Sequence, residues 1–158
     1  MVKLLLLAAA FTTEGTQQDW IDQLGAADRL VSENRHHEAE PAYIAARNQA
    51  ERFGVKELPM AITLNHMGHQ YQILSRLREA ERAHASALAI VEGRLGTASP
   101  NAVKVALDLS TVYLELGEVS KTESLIRRFL RQEKCPFPNR QGYSARRTRF
   151  GNGLPAKI

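Results

Sequence analysis

Apolar positions in this chain recur at helical spacing, and one stretch of them is written twice. Leu64, Met67, Gly68, Tyr71, Leu74 and Ala80 return 42 positions later as Ala106, Leu109, Ser110, Tyr113, Leu116 and Thr122. Identity is confined to Tyr71/Tyr113, Leu74/Leu116, Glu81/Glu123 and Leu88/Leu130. What recurs is side-chain size on one helical face, which repeat architectures keep while other positions drift.

The same periodicity predicts six helices in three hairpins. Trp20, Leu24, Ala27, Leu30 and Val31 form the apolar stripe of a first helix within the stretch from Thr16, and Ser32-Glu33-Asn34-Arg35 breaks it. Ala39, Tyr43, Ala46 and Ala50 line the second, with Pro41 in its first turn and Gly54 at its end. Pro59 opens a third helix, to about Leu74, and a partner follows from about Arg78 to Leu95, closed by Gly96. Ser99-Pro100 is a serine N-cap followed by proline at the first helical position, and it starts helix 100–116. Gly117 turns the chain into a last helix, about Ser120 to Lys134, which Pro136 and Pro138 end. The connections are short, as between antiparallel neighbours. The fold class expected is all-α, as stacked helical hairpins.

Leu64-x2-Met67-Gly68-x2-Tyr71…Ala80 resembles the tetratricopeptide repeat (TPR) pattern. The long period, the Gly96-Thr-Ala-Ser-Pro100 connector and Thr63-Leu64-Asn65-His66-Met67 resemble the kinesin light chain-like subclass. Arg35-x2-Glu38-Ala39-Glu40 is matched by Arg76-x2-Glu79-Ala80-Glu81. The resemblance covers residues 19–134 as about three repeats, and it implies a right-handed α-solenoid whose concave groove holds peptide segments. The first repeat departs from the pattern at Ala27 and Leu30, the second at His84 in place of the usual phenylalanine, and the third at Thr122 in place of the packing alanine. Leu64, Met67, Gly68 and Tyr71 are expected to face the second helix of their own hairpin.

At 100° per residue, the stripe opposite that core in repeat two is Ile62, Asn65, His69, Gln72 and Ile73, with His66 at its edge. In repeat three it is Lys104, Leu107, Thr111, Leu114 and Glu115, with Asp108 at its edge, and in repeat one Ile21, Leu24, Asp28, Val31 and Ser32. Asn65, His66, His69, Gln72, Lys104, Asp108, Thr111 and Glu115 are therefore the candidate peptide-binding residues. Amides such as Asn65 and Gln72 offer a donor and an acceptor to a peptide backbone. Protein or peptide is the expected partner. The apolar stripe of the last helix, Leu125, Ile126, Phe129 and Leu130, adds an expectation of self-association.

Composition changes this picture only at the ends. Residues 135–158 carry Arg140, Arg146, Arg147, Arg149 and Lys157 and no acidic residue, which exceeds the net +4 of the whole chain of 158 residues. Residues 19–134 are thus nearly neutral, and nucleic-acid or acidic-surface binding is an alternative confined to the tail, where Arg146-Arg147-x-Arg149 lies near Tyr143 and Phe150. The tail reads as disordered by composition. Residues 1–18 begin with Lys3, Leu4–Leu7 and Ala8-x-Ala10, the parts of a secretory signal or equally an apolar, frayed helix start, so cytoplasmic and exported locations both stay open. The run is too short for a transmembrane span.

Candidate chemistry is sparse. His66-x2-His69 places two imidazoles one turn apart, half of a zinc site, but no third ligand has local spacing and no metal is expected. Cys135 is the lone cysteine. Phosphate loops and nucleophile elbows are absent, and Glu38, Glu40, Glu79 and Glu81 read as solvated positions. The reading is a non-catalytic scaffold without a cofactor.

Overall fold

The computed structural model describes residues 2–132, with side chains from 17 to 131. The six helices are α1 (Val2–Ser32), α2 (His36–Glu51), α3 (Leu58–Ile73), α4 (Leu77–Leu95), α5 (Pro100–Glu115) and α6 (Val119–Gln132), and the described residues contain no strand. Each helix packs on its neighbours in sequence, giving three stacked hairpins, α1–α2, α3–α4 and α5–α6. The tail 135–158, and the signal-like side chains before Gln17, lie outside the description.

The repeat is clearest in the turn inside each hairpin. Asn34, Ser75 and Gly117 hold φ of 59°, 57° and 74°, the left-handed conformation that follows a helix end. The next amide reaches back five residues each time: Arg35 to Leu30 (2.8 Å), Arg76 to Tyr71 (2.8 Å) and Glu118 to Tyr113 (2.7 Å). Together with the inner bonds Asn34–Val31, Ser75–Gln72 and Gly117–Leu114, these are three Schellman closures in register. Only the third uses glycine, so the sequence marks one turn of the three. At the other hairpin end Ser99 caps α5, its Oγ accepting from the Ala102 amide at 3.2 Å.

Three boundaries differ from expectation. α1 begins at Val2 rather than within the stretch from Thr16. α2 begins at His36, directly after its Schellman turn, so Pro41 falls inside the helix rather than in its first turn. It lies on the exposed side, where the one lost N–H bond leaves no buried carbonyl. α2 also stops at Glu51, short of Gly54, because Phe53 leaves the helix to meet Trp20 edge-on with ring centroids 6.3 Å apart.

Two apolar clusters run through the stack. The first joins Trp20, Leu24, Ala27, Tyr43 and Ala46 to Met60 and Met67 of α3, and the second joins Ala61, Leu88 and Val91 to Val105 and Leu109 of α5. The apolar seams therefore run between hairpins as well as within them. Met67 and Tyr71 pack into the cluster of the preceding hairpin, against the expectation that they face their own second helix. Gly68 does face its own partner: a Cβ there would stand 2.5 Å from Cε1 of His84, so the absent side chain makes room for the ring. Ala27/Tyr43 and Ser110/Ile126 are the equivalent small–large positions. Thr122, the departure in repeat three, is buried with its hydroxyl 3.5 Å from the Ser110 carbonyl.

Charges stitch the hairpins. Glu40 accepts from Arg76 at 2.7 Å, and Glu81 accepts from Arg78 and Lys121, both at 2.9 Å. Glu40, Glu79 and Glu81 are therefore ion-paired and partly buried rather than freely solvated: the next hairpin brings a cation to Glu40 and Glu81, and Arg76 at the start of its own helix pairs with Glu79.

Candidate functional site

α1, α3 and α5 form one face of the stack, and α3 sits at its centre. From α3, His66 Nδ1 reaches Asp28 Oδ1 of α1 at 2.9 Å, while His69 Nε2 reaches Asp108 Oδ2 of α5 at 3.3 Å. Asn65 donates to the same Asp108 oxygen at 3.2 Å, and Gln72 donates to Glu115 at 3.3 Å. Five of the eight candidate residues, Asn65, His69, Gln72, Asp108 and Glu115, are thus joined across the α3–α5 seam. His66 is joined to α1 instead. Lys104 and Thr111 stand exposed beside them on α5.

Asn65 is buried rather than open on this face. It is 7% exposed, and its Oδ1 lies 2.9 Å from Nδ1 of buried His84. Leu24, which holds the equivalent position in repeat one, is 8% exposed. Leu107, the third equivalent, is 58% exposed. The reason is the stack: this position lies under the first helix of the following hairpin, and no described hairpin follows α5. A helical wheel places Asn65, Leu24 and Leu107 on the open face because it treats each hairpin alone. Ile21, Ile62 and Ile73 are exposed, as the stripe requires.

His84 was missed as part of this network. Its ring is fully buried, with Nδ1 on Asn65 and Nε2 3.3 Å from Gln72, and it meets His69 edge-on at 4.9 Å between centroids. We assign its proton to Nδ1 from the shorter contact. Burial, aided by the neighbouring His69, pushes its pKa down to about 4, against the opposing pull of Asp108. The carboxyls respond oppositely. Burial alone would raise Asp28, but hydrogen bonds from His66 and Tyr43 outweigh it and hold it below the usual carboxylate value. Asp108 is likewise lowered overall, because bonds from His69 and Asn65 outweigh its burial. Tyr43 is raised by burial and then by its 2.6 Å bond to Asp28.

One cavity opens at the α3–α5 seam, of about 180 Å³. Leu58, Ala61, Val91 and Val105 make its floor, while His66, Asn101 and Lys104 stand at its polar side. Such a cavity accepts an apolar side chain and presents a cation to whatever follows it. The two histidines of the spaced pair turn in different directions, one to Asp28 and one to Asp108, rather than converging on a common point. Among the described residues no group of three or more potential ligands is placed to hold a metal ion.

No family model matches the chain, and no curated protein matches it. Among solved structures it is similar to BtubC (BKLC) from P. vanneervenii, with 21% identity over 86% of this chain and a TM-score of 0.63. The chain spans about half of that protein's length, 51%. That likeness, with the three register-matched turns, makes this a TPR-like stack of helical hairpins.

Proposed function

We propose that the chain is a non-catalytic protein-binding scaffold of the kinesin light chain-like long-repeat kind, taking a peptide segment across the face of α1, α3 and α5. The observation that carries this is the α3–α5 cavity, apolar at its floor and bordered by Lys104, Asn101 and His66. Exposed Ile62 lines it, and exposed Ile73 lies further along the same face of α3; both would cover the apolar part of a bound segment. The preferred ligand carries an apolar side chain for the cavity and a carboxylate one or two residues away for Lys104. The groove residues on this reading are His66, His69, Gln72, Lys104, Thr111 and Glu115, with Asp108 and Asn65 holding the seam beneath them.

The test is selection from a randomised peptide library on the full chain, followed by titration of the selected peptides against Lys104→Glu and Ile62→Asp. Both positions are exposed, so the fold should survive. Each variant should weaken binding on the order of tenfold, the loss of one contact worth about 1.4 kcal/mol. Unchanged affinity in both variants refutes the groove. Binding that falls steeply with salt and disappears on removing residues 135–158 would instead assign recognition to the basic tail.

A further inference from the structure

The stack carries the same seat three times, and two of them are filled by a helix. In repeat one the seat includes Leu24, Ala27, Tyr43 and Ala46, covered by α3. In repeat two it includes Ala61, Asn65, His84 and Ala87, covered by α5, whose stripe Ala102, Val105, Ala106 and Leu109 packs into the second cluster. The equivalents in repeat three are Val103, Leu107, Ile126 and Phe129, with Leu125 and Leu130 beside them. They enclose an apolar hollow of about 120 Å³ that no described element covers. Leu107, Ile126 and Leu130 are 58%, 41% and 61% exposed there. The stack itself thus specifies the shape of the occupant: a helix with small and branched apolar residues at i, i+3, i+4 and i+7.

Charge specifies its chemistry. Arg127 and Arg131 stand exposed on α6, the helix that forms one wall of the hollow, with Glu123 as the single acid of α6, 3.4 Å from Arg127. A second copy docking through this same face would bring Arg127 and Arg131 of both copies together. The chain's own residues 135–158 carry five basic residues and no acidic one. Neither complements the flanks. We propose that the α5–α6 end of the stack is a docking seat for an acidic amphipathic helix of a partner protein. The apolar hollow receives its stripe, and the flanking cations receive its carboxylates. This surface is distinct from the peptide face of α1, α3 and α5, and either assignment can fail without the other.

The probe is a labelled helical peptide bearing the stripe Ala-x2-Val-Ala-x2-Leu of residues 102–109, made in two forms with glutamates or lysines at its flanking positions. It is titrated by fluorescence anisotropy against the full chain. The acidic form should bind, and the basic form should bind on the order of tenfold more weakly at low salt. The double variant Arg127→Glu/Arg131→Glu, exposed and compatible with the fold, should reverse that preference. Leu130→Asp should abolish binding of both, with circular dichroism unchanged. Failure of the acidic form to bind overturns the proposal, as does equal binding of the two forms. Concentration-dependent dimerisation of the full chain that Leu130→Asp abolishes would also overturn it, assigning the hollow to a second copy.

Discussion

Acidification from pH 7 to pH 5 should cost this fold about 2 kcal/mol through His84 alone. The buried ring has a pKa of about 4 in the fold, against 6.5 for a free histidine. Between those values the unfolded chain holds more protons than the folded one, so stability rises with pH across the window. The contribution is therefore intact above about pH 6.5 and is lost as pH falls towards 4. Each unit within the window is worth about 1.4 kcal/mol, which gives about 2 kcal/mol at pH 5 and a ceiling of about 3 kcal/mol. Depressed Asp28 and Asp108 also lose stability in acid, but at lower pH, since their ordinary value is 3.8. The window from 7 to 5 thus reports on imidazoles. Urea unfolding followed by circular dichroism at the two pH values, on the wild type and on His84→Phe, separates this ring from the other histidines, which both proteins share. Phenylalanine keeps the ring that Gly68 accommodates and removes the titration. The variant should lose about 2 kcal/mol less than the wild type over the interval. Equal losses would refute the assignment of His84 as a neutral buried ring.

Two further pairs of substitutions address the turns and the seam. Ser75→Gly should stabilise the fold by about 0.5–1 kcal/mol, because φ of 57° costs an L-residue what it does not cost glycine, while Gly117→Ala should destabilise it by a similar amount; urea midpoints measure both. Asn65→Ala should cost about 1–3 kcal/mol by taking from buried His84 the acceptor of its Nδ1 and from Asp108 one of its two donors, whereas Thr111→Ala on exposed α5 should stay within about 0.5 kcal/mol. Similar small effects from both would return Asn65 to the open face.

The hairpins were legible in the sequence because burying a helix within its own pair imposes a period that each segment carries alone. The contacts between hairpins were not, and the reason is visible at particular residues. Position 24 of the first repeat recurs as 65 and 107, holding Leu, Asn and Leu, of which the first two are buried and the third exposed. Its environment is set by the neighbouring hairpin, which a helical wheel does not contain. The left-handed turn residues were hidden differently: Asn34 and Ser75 take a conformation that glycine alone advertises, and the surrounding Schellman bonds hold them there.

The polar seams were hidden by reversal. Asp28 meets His66 across the first seam, and at the equivalent positions of the second seam His69 meets Asp108. The acid and the imidazole have exchanged sides, so no residue is repeated although the contact is. The turn pair behaves alike. Arg35–Glu38 and Arg76–Glu79 become Glu118–Lys121, the last at 2.6 Å. That second reversal has a cost to settle at the seam, because Glu118 now stands where Arg76 had met Glu40, opposite the equivalent Glu81. Arg78 and Lys121 answer it by each bonding both carboxylates. Exposed pairs of this kind add little stability one by one. What they do is prevent two like charges from facing each other at the turn, which lets the third hairpin take the same offset as the second. What the turns share is charge complementarity between neighbours, and a search for repeated identities passes over it.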